Sequence, residues 1–315
     1  MAELTLIAPR GYCAGVDRAI EIVEQALRDH GAPIYVRGEI VHNKHVVNGL
    51  AEKGAVFVAS PDDVPEGAII VLSAHGSSPE VYVQCKARNL RIIDATCPLV
   101  SKVHAEVRRY AKRDATVLLV GHATHDEVVG TRGEAPDRVI VVENVDQAAS
   151  VEVPDPDNVA LATQTTLSLD DMGEIISVLR SRFPKLIEPA SGDICYATQN
   201  RQDAVKHAVL GGTDLVLVVG STNSSNSQRL VEVARSRGSK AFLIDDVTEV
   251  DAQWLVGAES IALTAGASAP EALVDEVARH LAGHGWRRGG SETPSEEGIT
   301  FTLPADLRRI ASNSQ

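Results

Sequence analysis

Three cysteines are spaced about one small domain apart, and each stands just before a segment with helical periodicity. They are Cys13, Cys97 and Cys195, which lie 84 and 98 residues apart. A lone cysteine is more often a small buried hydrophobe than a ligand. Three cysteines at matched positions favour a shared role, because soft thiolates bind zinc and iron–sulfur clusters. The spacing therefore predicts a metal centre built from these three side chains.

The absence of closely paired cysteines separates the two kinds of metal centre. A structural zinc site usually has four ligands that include a C-x₂-C pair, and the sequence contains no such pair. Three thiolates can hold a four-iron cluster with one iron left open, and that iron acts as a Lewis acid and an electron donor. The remaining cysteine, Cys85, fits no repeat position and is predicted to be a core residue.

Histidines and hydroxyl residues recur at matched distances behind the cysteines. His42, His125 and Ser225 follow their cysteines by 29, 28 and 30 residues. Each histidine taken singly is more often a surface or core residue than a functional one. Together with glycine-flanked turns that lead into helix N-termini, they indicate an anion site. The sequence thus predicts a phosphate or diphosphate pocket, with candidate ligands His42, His75, His125, Ser224, Ser225, Asn226 and Ser268.

Glu127 and Thr165 are the candidate residues for proton transfer. A carboxyl group beside an iron–sulfur site can relay protons if burial raises its pKa. The alternative for Glu127 is a capping or solvated residue at a helix start. Thr165 is predicted to hydrogen-bond either Glu127 or a substrate hydroxyl. Its alternative role is to cap the helix that begins near Leu169.

Helices and strands alternate in the same order behind each cysteine. The segments with helical periodicity are 16–28, 99–112 and 197–209. The apolar runs typical of buried strands are 33–36, 69–73, 116–120, 159–162, 214–219 and 260–263. This alternation predicts an α/β fold with parallel sheets. The polar clusters follow the strand ends, where ligands bind in such sheets.

The repeats predict the domain organisation. We expect three α/β units at 1–97, 98–192 and 193–284, followed by a linker and tail at 285–315. Within the last segment, the glycine- and serine-rich stretch 289–298 predicts a flexible connector. The alternating stretch 299–303 predicts a strand.

Composition excludes several classes of function. The net charge of −13 and the pI near 5.2 argue against nucleic acid as a partner. Aromatic residues make up only 3% of the chain, which argues against stacking platforms for bases or sugars. The apolar runs are too short to cross a bilayer, and no charged leader precedes the first strand, so we expect a cytoplasmic protein without membrane contact.

Nine short motifs resemble those of the 4-hydroxy-3-methylbut-2-enyl diphosphate reductases, in the same order. They are RGYCAGV at 10–16, EIVHN at 39–43, SAHG at 73–76, DATCP at 94–98, GHATHDE at 121–127, TQTTLS at 163–168, DICYAT at 193–198, NSSNS at 223–227 and TAGASAP at 264–270. One departure is Asp126, which stands where the family pattern has proline.

The resemblance implies an oxidoreductase of the non-mevalonate isoprenoid pathway. It implies a trefoil of three similar α/β units around a [4Fe-4S] cluster held by Cys13, Cys97 and Cys195. The allylic hydroxyl of the substrate would bind the open iron. Reductive dehydroxylation would then give isopentenyl and dimethylallyl diphosphate. Flavodoxin, or ferredoxin with its reductase, would supply the electrons.

The resemblance also gives the polar residues their roles. Glu127 would supply the proton and Thr165 would orient it. His125 would serve both the catalytic group and the diphosphate. The remaining diphosphate ligands would be His42, His75, Ser224, Ser225, Asn226 and Ser268.

Two other functions compete with this interpretation. One is a zinc-dependent hydrolase of a phosphorylated small molecule that uses the histidines, but the sequence has no H-E-x-x-H motif. The other is an iron–sulfur sensor or binding module without enzymatic activity. Such a module would need neither Glu127 nor a diphosphate pocket.

Overall fold

The structure is a computed structural model that describes residues 2–292, 297–305 and 307. The strands are β1 Glu3–Ile7, β2 Ile34–Arg37, β3 Ala55–Val58, β4 Ile69–Leu72, β5 Arg91–Asp94, β6 Thr116–Val120, β7 Val139–Val142, β8 Val159–Thr163, β9 Leu215–Val219, β10 Lys240–Ile244, β11 Ser260–Ala265 and β12 Arg287–Glu292. The α-helices are α1 Ala14–His30, α2 Lys44–Glu52, α3 Pro79–Ala87, α4 Pro98–Ala111, α5 Asp126–Gly133, α6 Val145–Ser150, α7 Leu169–Arg182, α8 Tyr196–Leu210, α9 Ser225–Ser236 and α10 Glu271–Gly283. Among the described helices, none combines the length and apolar character that a membrane span requires.

The chain divides into two compact units. The first comprises residues 2–17, 42–48, 196–292 and 297–300 and contains one parallel sheet of order β10-β9-β11-β1-β12, so we call it the five-stranded unit. Strand β9 is buried along its whole length, and its residues alternate between two apolar clusters. A strand buried on both faces reads as a continuous apolar run, which is why the LVLVV sequence of β9 predicted it well.

The second compact unit comprises residues 18–41, 49–195, 301–305 and 307. It contains two parallel sheets, of orders β3-β2-β4-β5 and β7-β6-β8, and we call it the two-sheet unit. Its core is formed by apolar clusters on both faces of the β6 sheet and a smaller cluster under β4 and α3. The predicted α/β class with three small parallel sheets is therefore confirmed.

Each of the three sheets contains a topological switch point. In each case the next strand in the chain pairs with one side of a central strand, and the strand after that pairs with its other side. The pairs at the switch points are β2 with β4, β6 with β8, and β9 with β11. Parallel α/β sheets bind ligands beyond the carboxyl ends of the strands at such points. The predicted polar clusters follow these same six strands in the chain.

The ends of the chain differ from the predictions. Strand β1, which was assigned to the first repeat, pairs with β11 and β12 in the five-stranded unit. The predicted connector is wrong over 289–292, because these residues belong to β12, and its part at 293–296 lies outside the described residues. The strand expected over 299–303 is also wrong, since that segment belongs to no strand or helix. The division into units 1–97, 98–192 and 193–284 stays a prediction.

Candidate active site

All three predicted cysteine ligands stand immediately before a helix. Cys13 precedes α1, Cys97 precedes α4 and Cys195 precedes α8. The carbonyls of Cys13 and Cys97 accept the first intrahelical bonds, from Asp17 N and Ser101 N, both at 2.9 Å. None of the three cysteines is in a disulfide, and all three are partly exposed. Each of the three side chains therefore stands beside a helix N-terminus, a position that favours anionic groups in general.

The fourth cysteine has a different environment. Cys85 lies inside α3, is fully buried and packs in the apolar cluster under β4. Burial raises the pKa of the Cys85 thiol, which opposes formation of a thiolate. The prediction that Cys85 is a core residue is confirmed.

Glu127 and Thr165 form a buried pair in the two-sheet unit. The Glu127 carboxylate accepts hydrogen bonds from Thr165 N at 2.7 Å and from Thr165 Oγ1 at 3.0 Å. Burial raises the pKa of Glu127 to about 7, although the two hydrogen bonds from Thr165 act in the opposite direction. Cys195 N donates to the Thr165 carbonyl at 3.0 Å, so this pair adjoins one of the cysteine ligands.

His125 and His75 lie near this pair in the same unit. His125 is the N-cap residue of α5, and its Nδ1 accepts a hydrogen bond from Glu127 N at 3.2 Å. An accepting Nδ1 places the ring proton on Nε2. The rings of His75 and His125 are 6.1 Å apart and nearly perpendicular. The two-sheet unit thus brings His75, His125, Glu127 and Thr165 together.

The turn that carries His75 is tightly packed. Gly76 has a φ of +84°, and a Cβ atom at this position would lie 2.9 Å from Cε1 of His104. On α5, a Cβ atom at Gly133 would lie 2.2 Å from the Cβ atom of Ser78. These glycines let the turn approach α4 and α5 closely, and the turn fixes the backbone of His75.

The five-stranded unit brings together a second group of predicted ligands. Ser268 Oγ donates to the His42 carbonyl at 2.8 Å, and Asn226 Oδ1 accepts from Ala267 N at 3.0 Å. The Ala267 carbonyl in turn accepts from Cys13 N at 3.1 Å. These contacts place one cysteine, one histidine and two polar side chains in a single hydrogen-bonded network.

Helix N-termini contribute to both groups of ligands. Ser224 is the N-cap of α9 and accepts a hydrogen bond from Ser227 N, and Ser225 is the buried first residue of that helix. Asn43, next to His42, accepts hydrogen bonds from His45 N and Val46 N at the start of α2. With His125 at the start of α5, each switch point has a helix N-terminus that follows its central strand. Such termini favour anionic ligands.

Two polar residues of these sites have no role predicted from the sequence. One is Asn43, although asparagine just before a helical segment is a recognised capping signal. The other is Asp193, which is buried and accepts a hydrogen bond from Thr163 N at 3.0 Å, so it fixes the loop that leads to Thr165. An aspartate precedes two of the cysteines, Asp94 three residues before Cys97 and Asp193 two residues before Cys195, and this similarity was the available signal.

A profile of the LytB protein family matches residues 4–282. The chain belongs to the LytB family. It is 55% identical to a protein of Acidothermus cellulolyticus named 4-hydroxy-3-methylbut-2-enyl diphosphate reductase, over 98% of this chain and 90% of that protein. It is 56% identical to a Mycobacterium tuberculosis protein with the same name and the suffix 2, over 97% of this chain and 91% of that protein.

Two solved structures resemble this LytB-family chain. The E-1-hydroxy-2-methyl-but-2-enyl-4-diphosphate reductase from Plasmodium falciparum is 39% identical, with a TM-score of 0.95 over 99% of both chains. A second structure, titled as the terminal enzyme of the non-mevalonate pathway, is 27% identical, with a TM-score of 0.63 over 90% of this chain and all of that chain. The predicted family and the predicted oxidoreductase class are confirmed by these relatives.

Proposed function

We propose that this LytB-family chain reduces 4-hydroxy-3-methylbut-2-enyl diphosphate to isopentenyl and dimethylallyl diphosphate. The observation that carries the proposal is the buried Glu127–Thr165 pair beside Cys195, in a chain 55–56% identical to reductases of that name. A buried carboxyl with a pKa of about 7 is suited to give up a proton at neutral pH.

The three cysteines fit the cofactor that the family implies. Cys13, Cys97 and Cys195 are in no disulfide, are partly exposed and stand at helix N-termini, whereas Cys85 is buried in the core. Three soft donors without a fourth suit a [4Fe-4S] cluster better than a structural zinc ion. Such a cluster, with one iron left open, would supply electrons and a Lewis acid for the departure of the hydroxyl group. We propose that these three residues hold it.

Glu127 and Thr165 would control the proton. The reaction breaks one carbon–oxygen bond and takes up two electrons and two protons. One proton enters the released water, and the other forms a new carbon–hydrogen bond. Glu127 would hold a proton on its carboxyl group because burial disfavours the charged form. The N–H and hydroxyl of Thr165 fix the direction of that carboxyl. Protonation at either end of the allylic system accounts for two products.

Polar side chains at the strand ends would bind the diphosphate. The proposed ligands are His42, His75, His125, Ser224, Ser225, Asn226 and Ser268. Ser268 donates its only hydroxyl proton to the His42 carbonyl in this structure, so it would have to rotate to donate to a phosphate oxygen. The helix N-termini after β2, β6 and β9 would add favourable dipoles.

The remaining parts of the proposal concern the location and the partners. We propose that the chain works in the cytoplasm. The electrons would come from an external donor such as flavodoxin, or ferredoxin with its reductase. The similarity to named reductases supports these statements.

Anaerobic purification tests the proposal directly. We expect a brown protein with iron and sulfide in the ratio of a [4Fe-4S] cluster, an EPR spectrum that changes when the allylic diphosphate is added, and both five-carbon diphosphates as products. A colourless protein that holds one zinc ion per chain and releases phosphate would contradict the proposal and favour the hydrolase. An iron-containing protein that binds no diphosphate would favour the sensor.

A further inference from the structure

The three backbone N–H groups of residues 95–97, in the loop that leads to Cys97, all have acceptors. Ala95 N and Cys97 N donate to the carbonyls of Leu72 and Ala74, at 3.0 Å in both cases. Thr96 N donates to the Asp94 carboxylate at 2.8 Å, and the Cys97 carbonyl accepts from α4. The carbonyls of Ala95 and Thr96 remain to be satisfied.

One side chain, Arg18 of α1, satisfies both of these carbonyls. Its Nη1 donates to the Ala95 carbonyl at 3.3 Å and to the Thr96 carbonyl at 3.1 Å. Its Nε donates to the Thr302 carbonyl at 2.9 Å, in the segment that follows residue 300. Because buried carbonyls need donors, Arg18 determines the path of the two residues before Cys97 and ties the C-terminal segment to them.

The guanidinium of Arg18 also places a positive charge near the thiol. The three acceptors named above are neutral carbonyls, so none of them cancels the charge. An acidic group that acts on Arg18 is Asp94, whose carboxylate already accepts hydrogen bonds from Tyr82 Oη at 2.7 Å and from Thr96 N. The charges of Asp94 and Cys97 both favour the protonated guanidinium, whereas burial lowers the pKa of Arg18.

We propose that Arg18 is a positioning residue for the ligand Cys97: its hydrogen bonds fix the ligand loop, and its charge stabilises the reduced, more negative form of the bound cluster. This inference rests on the proposed function, because it takes Cys97 as a cluster ligand. Residues that orient metal ligands typically change metal affinity or activity by about 10–100-fold when they are mutated. Cluster potentials respond to nearby charge and hydrogen bonds.

Two variants of Arg18 separate the hydrogen bonds from the charge. Arg18→Met removes both, whereas Arg18→Lys keeps the charge and loses the planar fork that reaches two carbonyls. The matched control is Arg182→Met, because Arg182 also donates to two backbone carbonyls, those of Ala148 and Val151, in a part of the two-sheet unit without a cysteine. Urea unfolding of the metal-free proteins checks that each variant folds.

The measurements are iron content, the rate of iron loss in air and the midpoint potential from an EPR-monitored titration. We expect both Arg18 variants to lose iron about 10-fold faster or more than the unmutated protein. Only in Arg18→Met should the cluster become harder to reduce. In Arg18→Lys its midpoint potential should stay close to that of the unmutated protein. Arg182→Met should match the unmutated protein in both readouts.

Three outcomes would overturn the inference. Unchanged iron loss in both Arg18 variants would remove the positioning role. Equal potentials in Arg18→Met and the unmutated protein would remove the role of the charge. Iron loss in Arg182→Met as fast as in Arg18→Met would show a general loss of stability. If the unmutated protein itself holds no iron, the proposed function fails, and the inference fails with it.

Discussion

The carboxylate of Glu127 accepts two hydrogen bonds from the single residue Thr165, one from its backbone N–H at 2.7 Å and one from its hydroxyl at 3.0 Å. Both residues are buried, and they are 38 positions apart in the chain. Two opposing effects therefore act on this carboxyl group. Burial favours the protonated acid, whereas the donors favour the carboxylate, and the outcome is a pKa of about 7. The next three predictions depend on this pair.

Replacing Glu127 with glutamine should abolish turnover without removing the cluster. The amide keeps the size of the side chain but has no proton to transfer at neutral pH, and loss of a general acid typically lowers kcat by about 10²–10⁴-fold. Steady-state kinetics and iron content should be measured together. The matched control is Asp137→Asn, since Asp137 is an exposed acidic residue of the same unit that is not among the proposed site residues, and this variant should keep full activity. Full activity of Glu127→Gln would exclude Glu127 from the mechanism.

Removing the Thr165 hydroxyl should shift the pH profile of kcat to higher pH. The hydroxyl stabilises the Glu127 carboxylate, so its loss in Thr165→Val raises the carboxyl pKa. A hydrogen bond to a charged group contributes about 1.5–3 kcal/mol, which corresponds to about one to two pH units. The alkaline limb of kcat should shift upward by that amount, and kcat should fall because the acid is no longer oriented. Thr165→Ser should restore the original profile; a serine variant as defective as the valine variant would point to a packing role.

The pKa of Glu127 also predicts how stability varies with pH. The folded state binds a proton more tightly than the unfolded chain, in which the carboxyl has its ordinary value of 4.5. The contribution of this group to stability is therefore complete below pH 4.5 and is lost as the pH rises toward 7. The loss is at most about 3 kcal/mol for a pKa that moves from 4.5 to about 7. Urea unfolding of the metal-free protein at several pH values should show this slope, and Glu127→Gln should flatten it.

A cysteine series distinguishes ligands from core residues. Cys13→Ser, Cys97→Ser and Cys195→Ser should each lose most of the iron, because an alkoxide is a poor replacement for a soft thiolate. Cys85→Ala should keep the iron content and lose only about 1 kcal/mol of stability through a small cavity. Iron and sulfide analysis after anaerobic purification measures the first effect, and urea unfolding measures the second. Loss of iron in Cys85→Ala would contradict the assignment of Cys85 to the core.

Substitution of Gly76 should damage the turn that carries His75. An alanine there has a positive φ, and its Cβ would lie 2.9 Å from His104. We expect a loss of about 1–3 kcal/mol in unfolding free energy and a raised KM for the diphosphate. The control is Gly49→Ala in α2, where a Cβ would meet nothing within 4 Å and should stabilise the helix by about 0.5–1 kcal/mol. Equal stability of the two variants would show that the turn tolerates a side chain.

Much of the fold could be predicted because its strands are buried runs and its helices have clear apolar faces. The predicted helices 16–28, 99–112 and 197–209 agree with α1, α4 and α8 to within one or two residues. The chain ends were harder to predict, because pairing with β1 makes a strand of the glycine-containing segment 287–292. The stretch 299–303 alternates like a strand but belongs to no sheet, because an alternating pattern forms a strand only where a neighbouring strand pairs with it.

The sequence by itself determined which residue types were available for chemistry and how they repeat. Matched spacings of cysteines and polar clusters depend only on chain order, so they can be recognised without a structure. The tertiary structure decided the burial of Glu127, its contact with Thr165 and the separation of Cys85 from the other cysteines. It also decided the position of Arg18, whose acceptors are backbone carbonyls 77, 78 and 284 residues away. Every residue carries the same carbonyl group, so no pattern of side chains marks such a contact, and only folding selects it.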